Sequence, residues 1–228
     1  MSSENSPTRD RILNAAWRLL ESGARAVRMS DIAKAAGISR QALYLHYPSR
    51  ADLLVATVRH VDEVKKVDDR LVASRTAASG RERLDAFIAA WGSYIPEIHG
   101  VSIALRAMAD SDEEAARAWE DRMQALRHGC AAAVRALAAD GALSPDLAED
   151  RATDLLWALL SVEAWERLVR GCGWSQESYV TQTQRLARRA VWLLAAAYLG
   201  LFLWIVGGMI AHALAVRRQA AAGHTFPA

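Results

Sequence analysis

The sequence predicts an all-α protein, with an N-terminal three-helix helix-turn-helix unit, an α-helical second half and an apolar C-terminal stretch. Three observations carry that reading. Only five prolines and thirteen glycines occur in 228 residues, in a chain rich in Ala, Leu, Arg and Glu, and this is a helix-forming composition. Apolar residues recur at spacings of three and four, the period of a helix with one buried face. The segments so defined are closed by Ser22-Gly23, Gly37, Pro48-Ser49 and Gly141, residues that stop helices.

Residues 1–7 form a polar arm. Thr8 is read as the cap of the first helix, whose apolar row is Ile12, Ala15, Ala16, Leu19 and Leu20. Ser30 is the expected N-cap of a short second helix, with Asp31 in its first turn and Ile32, Ala33 and Ala36 on its buried face. Gly37 then stops it, because the residue after a helix end often takes a left-handed conformation that glycine adopts cheaply. Ser39 caps the third helix, in which Leu43 and Tyr47 face inward at a four-residue spacing. Arg40, Gln41, Tyr44 and His46 are left on the outward side. Such donor-rich side chains read base edges and clamp phosphates when a helix enters the major groove. An ordinary helical hairpin with a polar outer face has the same spacing. Ser49-x-x-Asp52 opens a fourth helix from Arg50 to Ser74, which buries Leu53, Leu54, Val58 and Val61 and is strongly charged beyond them.

The run Ile32-Ala33, Ala36-Gly37-Ile38-Ser39, Leu43-Tyr44-Leu45-His46-Tyr47, Arg50 and Leu53-Leu54 resembles the N-terminal DNA-binding domain of the tetracycline-repressor (TetR) family. The match covers about the first fifty-five residues. Many members carry a small residue where this chain has Gln41, a departure that bears on base preference. The resemblance implies a homodimeric, ligand-responsive regulator of transcription, most often a repressor, bound to a near-palindromic operator in double-stranded DNA. On that basis Ser30, Ser39, Tyr44 and Arg50 hold phosphates while Arg40 and Gln41 read bases, with His46 among the DNA-facing residues and Arg9 or Arg11 near phosphates as well. An effector bound in the second half would tilt the fourth helix.

The division expected is 1–50 for the DNA-binding domain, 51–195 for the helical regulatory and dimerisation domain, and 196–228 for an apolar tail with a short polar end. After the small-residue loop Thr76 to Gly80, a fifth helix carries Leu84, Phe87, Ile88, Trp91 and Ile95 until Pro96 and Gly100 break it. A shorter apolar segment follows from Val101 to Met108. Asp110, Asp112, Glu113 and Glu114 look metal-like but stand where a helix begins, where carboxylates are favoured by the helix dipole. The next helix, Asp112 to Asp140, has Trp119, Met123, Leu126, Cys130, Val134 and Leu137 on one stripe. Ser144-Pro145 is read as the start of the one after, with Leu155, Leu156, Leu159, Val162 and Leu168. A last helix begins after Ser175 and carries Tyr179, Leu186 and Val191. The family's last two long helices imply a four-helix bundle with a second copy. Trp91, Tyr94, Met108, Trp119 and Met123 are the candidate effector residues, for a hydrophobic or planar ligand, although core packing gives such stripes too. His99 and His128 are surface hydrogen-bonding or ligand groups on the same reading.

From Ala190 to Val216 no Asp, Glu, Lys, Arg, Asn or Gln occurs. As a helix those residues span roughly 40 Å, more than a bilayer core requires. The segment is read as a membrane span tethering a cytoplasmic DNA-binding domain to the inner face of the membrane. The alternative is a helix buried in the dimer bundle.

Net charge is only +2, so the molecule as a whole is not a polycation. Residues 1–50 nonetheless carry eight Arg and Lys against four acids, which suits a phosphate-facing surface. Cys130 and Cys172 lack metal-type spacing and are expected as free thiols. No cofactor or metal is called for. The six histidines form no i, i+4 ligand pair, and neither a catalytic triad nor a phosphate-binding glycine pattern stands out. An all-helical enzyme is therefore disfavoured. A membrane-anchored adaptor using the helix-turn-helix for protein contacts is the alternative to a DNA reader.

Overall fold

The ten helices described here take their bounds from local capping and from two apolar clusters. The computed structural model describes residues 7–22 and 27–190. In order these are α1 (Pro7–Glu21), α2 (Met29–Ala36), α3 (Arg40–His46), α4 (Arg50–Val64) and α5 (Val67–Arg75). The second half holds α6 (Gly80–Ala109), α7 (Glu113–Ala139), α8 (Glu149–Leu159) and α9 (Val162–Trp165). A π-helical turn, Glu166–Gly171, continues α9, and α10 covers residues 176–190.

Several caps sit where the sequence puts them. Gly37 has φ 67° and its N–H returns to the end of α2. Ser39 accepts from the Ala42 N–H and Ser49 from the Asp52 N–H, so each satisfies a donor the helix leaves open. Asp112 accepts from the N–H groups of Glu114 and Ala115 at the start of α7. Ser30 does not cap α2. The helix begins at Met29 with Arg28 in the cap position and no side-chain cap, and the Ser30 hydroxyl turns to Asp31 at 3.5 Å. Thr8 likewise lies inside α1, accepting from Arg11 at 3.2 Å.

Four expected boundaries move. The helix read as Arg50 to Ser74 is two, broken at Lys66, whose φ of 54° is left-handed. Beyond Val61 the charged segment offers no continuous apolar row to hold one axis, and the break lays α5 against α6, where Arg70 bonds Glu97 at 2.6 Å. Pro96 and Gly100 do not interrupt α6, which runs 30 residues through both. Proline cannot donate to the carbonyl four residues earlier, here that of Gly92. That carbonyl instead accepts from Gln176 Nε2 on α10 at 2.6 Å, so the helix continues with the acceptor satisfied. Ser144-Pro145 forms a turn before α8, closed by Leu147 N–H donating to the Ser144 carbonyl at 3.1 Å. The stripe continuing to Leu168 is cut at Leu160, after which Ser161 caps α9 by accepting from Ala164 N–H.

The first apolar cluster joins α1 to α4 (Ile12, Leu20, Ile32, Leu43, Leu53, Leu54) with Val101, Leu105 and Met108 of α6 and Ala115 and Ala118 of α7. The second holds Leu84, Ile88, Leu126, Val134, Leu137 and Leu156, from α6, α7 and α8. Gly80 begins α6 so close to α7 that a β-carbon there would lie 2.5 Å from backbone atoms of Ala136 and Leu137. Both cysteines are free, Cys130 buried and Cys172 exposed. Burial pushes the Cys130 thiol up to about 12.

Among the described residues no helix is long and apolar enough to cross a membrane. The apolar run 190–216, Ala190 aside, lies outside the described residues, as does Val191.

Candidate nucleic-acid interface and effector cavity

The turn at Gly37 sets α3 across α2, and Leu43 fixes its roll by going wholly into the core, with Tyr47 buried just after the helix. Arg40, Gln41, Tyr44, Leu45 and His46 are consequently exposed. Arg40 donates to the Tyr44 hydroxyl at 3.4 Å and its guanidinium lies 5.6 Å from that ring's centre. Ser30 and Ser39 are exposed at the starts of α2 and α3. Six of the seven expected DNA-facing residues thus remain solvent-accessible.

Arg50 is the exception. Its side chain is only 14% exposed and donates to the Asp112 carboxylate at 2.7 Å, to Glu114 at 3.2 Å and to the Val27 carbonyl. A guanidinium so committed is an internal clamp between α4 and α7. The same contacts explain the acidic group at the head of α7: Asp112 and Glu114 cap and pair, and no group of His, Cys, Asp or Glu among the described residues is arranged to hold a metal. Leu45 was not singled out from the sequence, yet it is 87% exposed on the outward row. Its signal was present as an apolar residue between two outward positions.

A cavity of about 280 Å³ lies between α4, α5, α6 and α7, at the small end of typical ligand sites. Trp91, Tyr94, Trp119 and Met123 line it, together with Phe87, Val101, Leu105 and Leu126. Met108 does not. It lies nearly four turns along α6 from Tyr94 and packs into the first cluster. The Trp91 indole is fixed by donating to the Leu160 carbonyl at 2.6 Å.

Sequence reasoning missed the cavity's polar edge, because Asp62, Arg70 and Arg122 sit in charged runs that read as solvated surface. Asp62 of α4 accepts from the Tyr94 hydroxyl of α6 and from Arg122 of α7. Burial, then the neighbouring Asp62 charge, raises the Tyr94 pKa far above the ordinary phenol value, so it stays a donor. Arg122 also pairs with Asp121, which Arg59 of α4 holds at 2.5 Å. Burial raises the Asp121 pKa, but the two guanidiniums outweigh it and the net direction is down. Arg70 and Arg75, also lining the cavity, are paired with Glu97 and Asp68 at 2.6 Å. The charged groups around the cavity are therefore neutralised by protein partners.

His99 does not line this cavity. It is buried, with Nδ1 3.2 Å from Arg170, Nε2 3.6 Å from Glu166 and its ring 5.0 Å from that of Trp165. His128 is exposed on α7.

Two short helices turned by a glycine, with the second one's polar row outward and a hollow helical body behind them, define a protein of the helix-turn-helix class. Residues 12–57 match the family model described as bacterial regulatory proteins, tetR family. It is 33% identical over 133 residues to the HTH-type transcriptional regulator BetI of Rhizobium meliloti (strain 1021), an alignment covering 57% of this chain and 65% of that protein. It is 36% identical over 85 residues to the HTH-type transcriptional activator FasR of Mycolicibacterium smegmatis, covering 37% and 38%. The matches thus span less than two thirds of either relative. The fold is shared with FadR of Bacillus subtilis, solved in complex with stearoyl-CoA, at a TM-score of 0.65 and 14% identity, covering 80% of this chain and 98% of that one.

Proposed function

We propose that this chain is a DNA-binding regulator of transcription, acting as a homodimer on a near-palindromic operator and released by a small-molecule effector, in the manner of a repressor. The observation that carries the reading is the exposed row Arg40, Gln41, Tyr44 and His46 over a fully buried Leu43. Arg40 and Gln41 are suited to base edges, and Ser30, Ser39, Tyr44 and His46 to phosphates. Residues 1–50 serve as the DNA-binding unit and 51–195 as the regulatory and dimerisation unit. Leu155 of α8 and Leu186 of α10 are 53% and 46% exposed, an apolar face that a second copy would cover. Since the cavity's charges are already paired, the effector class that fits is neutral and apolar. It would act through Asp62, because α4 connects the cavity to the helix-turn-helix, and only insofar as it prefers the non-binding conformer.

Selection of duplexes from a random pool by the full chain tests the DNA reading. Arg40→Ala should then cost about 1–3 kcal/mol with relaxed base choice. A chain that enriches no duplex is an adaptor and not a DNA reader. Ala90→Phe, which fills the cavity, should abolish binding of a neutral apolar fluorophore such as N-phenyl-1-naphthylamine while sparing operator binding.

A second reading, carried by the uncharged run 190–216, adds a membrane tether beyond α10. Alkaline washing of membranes should retain the full chain and release a version ending at residue 195. Release of both removes the tether.

A further inference from the structure

A leucine exposed by itself on a protein surface ordinarily needs no explanation. Leu45, at 87% exposure, belongs to the outward row of a 7-residue helix whose other outward members carry polar groups. The row divides in two along the helix. Arg40 and Tyr44 engage each other by hydrogen bond and ring contact. Gln41 and Leu45, also one turn apart, lie along the neighbouring line and point the same way. A phosphate backbone offers a leucine no partner. In the major groove the one apolar group a base pair presents is the C5 methyl of thymine, whose paired adenine presents an N7 acceptor and an N6 donor. A glutamine followed one turn later by a leucine therefore matches the two halves of what A·T pairs display.

We propose that Leu45 is a specificity-determining residue that reads thymine, its side chain seated against a C5 methyl in the major groove beside the bases addressed by Gln41. This rests on the DNA-binding reading above. Association then covers apolar surface that folding leaves in water, and removal of one methyl should weaken binding about fourfold.

The test uses an operator selected from a random duplex pool by the full-length protein. Each thymine is replaced in turn by deoxyuridine, which keeps base pairing and the O4 acceptor and deletes only the methyl. The expected result is a thymine in each half-site whose replacement weakens the wild type about fourfold, leaves Leu45→Ala unaffected, and still weakens Leu45→Met, which keeps an apolar side chain. The wild-type arm needs no variant, so failure of a mutant to fold cannot stand in for a result. An operator insensitive to methyl removal at every thymine, or a Leu45→Ala protein that keeps the sensitivity, overturns the assignment and leaves DNA binding intact. A chain that selects no duplex overturns both.

Discussion

The Arg50 guanidinium lies 2.7 Å from the Asp112 carboxylate, joining the first residue of α4 to the N-cap of α7. One ion pair thereby ties the helix that leaves the helix-turn-helix to the longest cap-defined helix of the body after α6. The pair is shielded on one side by the Val27 carbonyl, which accepts from Arg50 Nε, and extended on the other by Glu114.

Removing one partner of a well-shielded pair leaves the other charge without compensation, a loss of up to about 3–5 kcal/mol when burial is complete. Both groups here are partly exposed, so Arg50→Ala should destabilise the fold by about 2 kcal/mol, read in urea or thermal unfolding. The phosphate-clamp alternative makes a different forecast. Loss of a phosphate contact lowers the salt slope of operator binding by about one, whereas loss of an internal clamp leaves the slope of the folded fraction unchanged. An unchanged slope with a lower Tm is the expected outcome.

Gly80 and Gly100 both lie in α6, and alanine at each should have opposite effects. At Gly80 the added β-carbon would sit 2.5 Å from the Ala136–Leu137 backbone, which cannot rotate away. Overpacking of that kind costs about 1–3 kcal/mol. At Gly100 the nearest atom is Glu21 Cγ at 3.7 Å, ordinary contact, and a helical Gly→Ala change is worth up to about 1 kcal/mol in favour of folding. Thermal melts should show Gly80→Ala below the wild type and Gly100→Ala above it. The same direction for both would mean that helix propensity, and not the α6–α7 approach, governs the two sites.

Asp62 joins three helices, and the contacts should be energetically coupled. Tyr94 and Arg122 both donate to its carboxylate, and bonds to a charged acceptor are worth about 1.5–3 kcal/mol. Asp62→Asn and Tyr94→Phe should each destabilise, while the double variant loses less than the sum, by about 0.5–3 kcal/mol. Unfolding free energies of the four proteins decide it. Strict additivity would mean that the hydroxyl and carboxylate act separately.

Gly37, Ser39, Ser49 and Asp112 were legible because a cap is a local event, settled by residues within four positions. The cavity wall was partly legible for a related reason: Trp91 and Tyr94 share one face of α6, and Trp119 and Met123 share one face of α7. Met108 has the right side chain but lies too far along α6, where the face meets the first cluster. What could not be read are partnerships across the chain. Pro96 was expected to end its helix because nothing nearby shows that Gln176, eighty residues later, occupies the carbonyl that proline abandons. The pairing of Arg50 with Asp112 and Glu114 joins residues 62 and 64 positions apart. Asp62 was hidden in a charged run, its partners Tyr94 and Arg122 lying 32 and 60 residues further on.

His99 should make stability fall on mild acidification. Burial lowers its pKa first, Arg170 and Arg106 lower it further, and Glu166 offsets this only in part, leaving it below the ordinary 6.5. As pH drops through about 6.5 the unfolded chain therefore takes up a proton that the folded chain refuses, and stability declines until the folded-state pKa is passed. The contribution is fully present above that window. Glu166 is also shifted down, by the hydrogen bond from Arg106 first, so its own loss of stability begins only in the carboxylate range. His99→Gln keeps a polar side chain and removes the titration. As pH falls through about 6.5 the wild-type Tm should drop more than that of His99→Gln. Parallel Tm curves there would show that the buried imidazole does not control acid sensitivity. A steeper fall in the variant would require a raised pKa, with the Glu166 attraction outweighing burial.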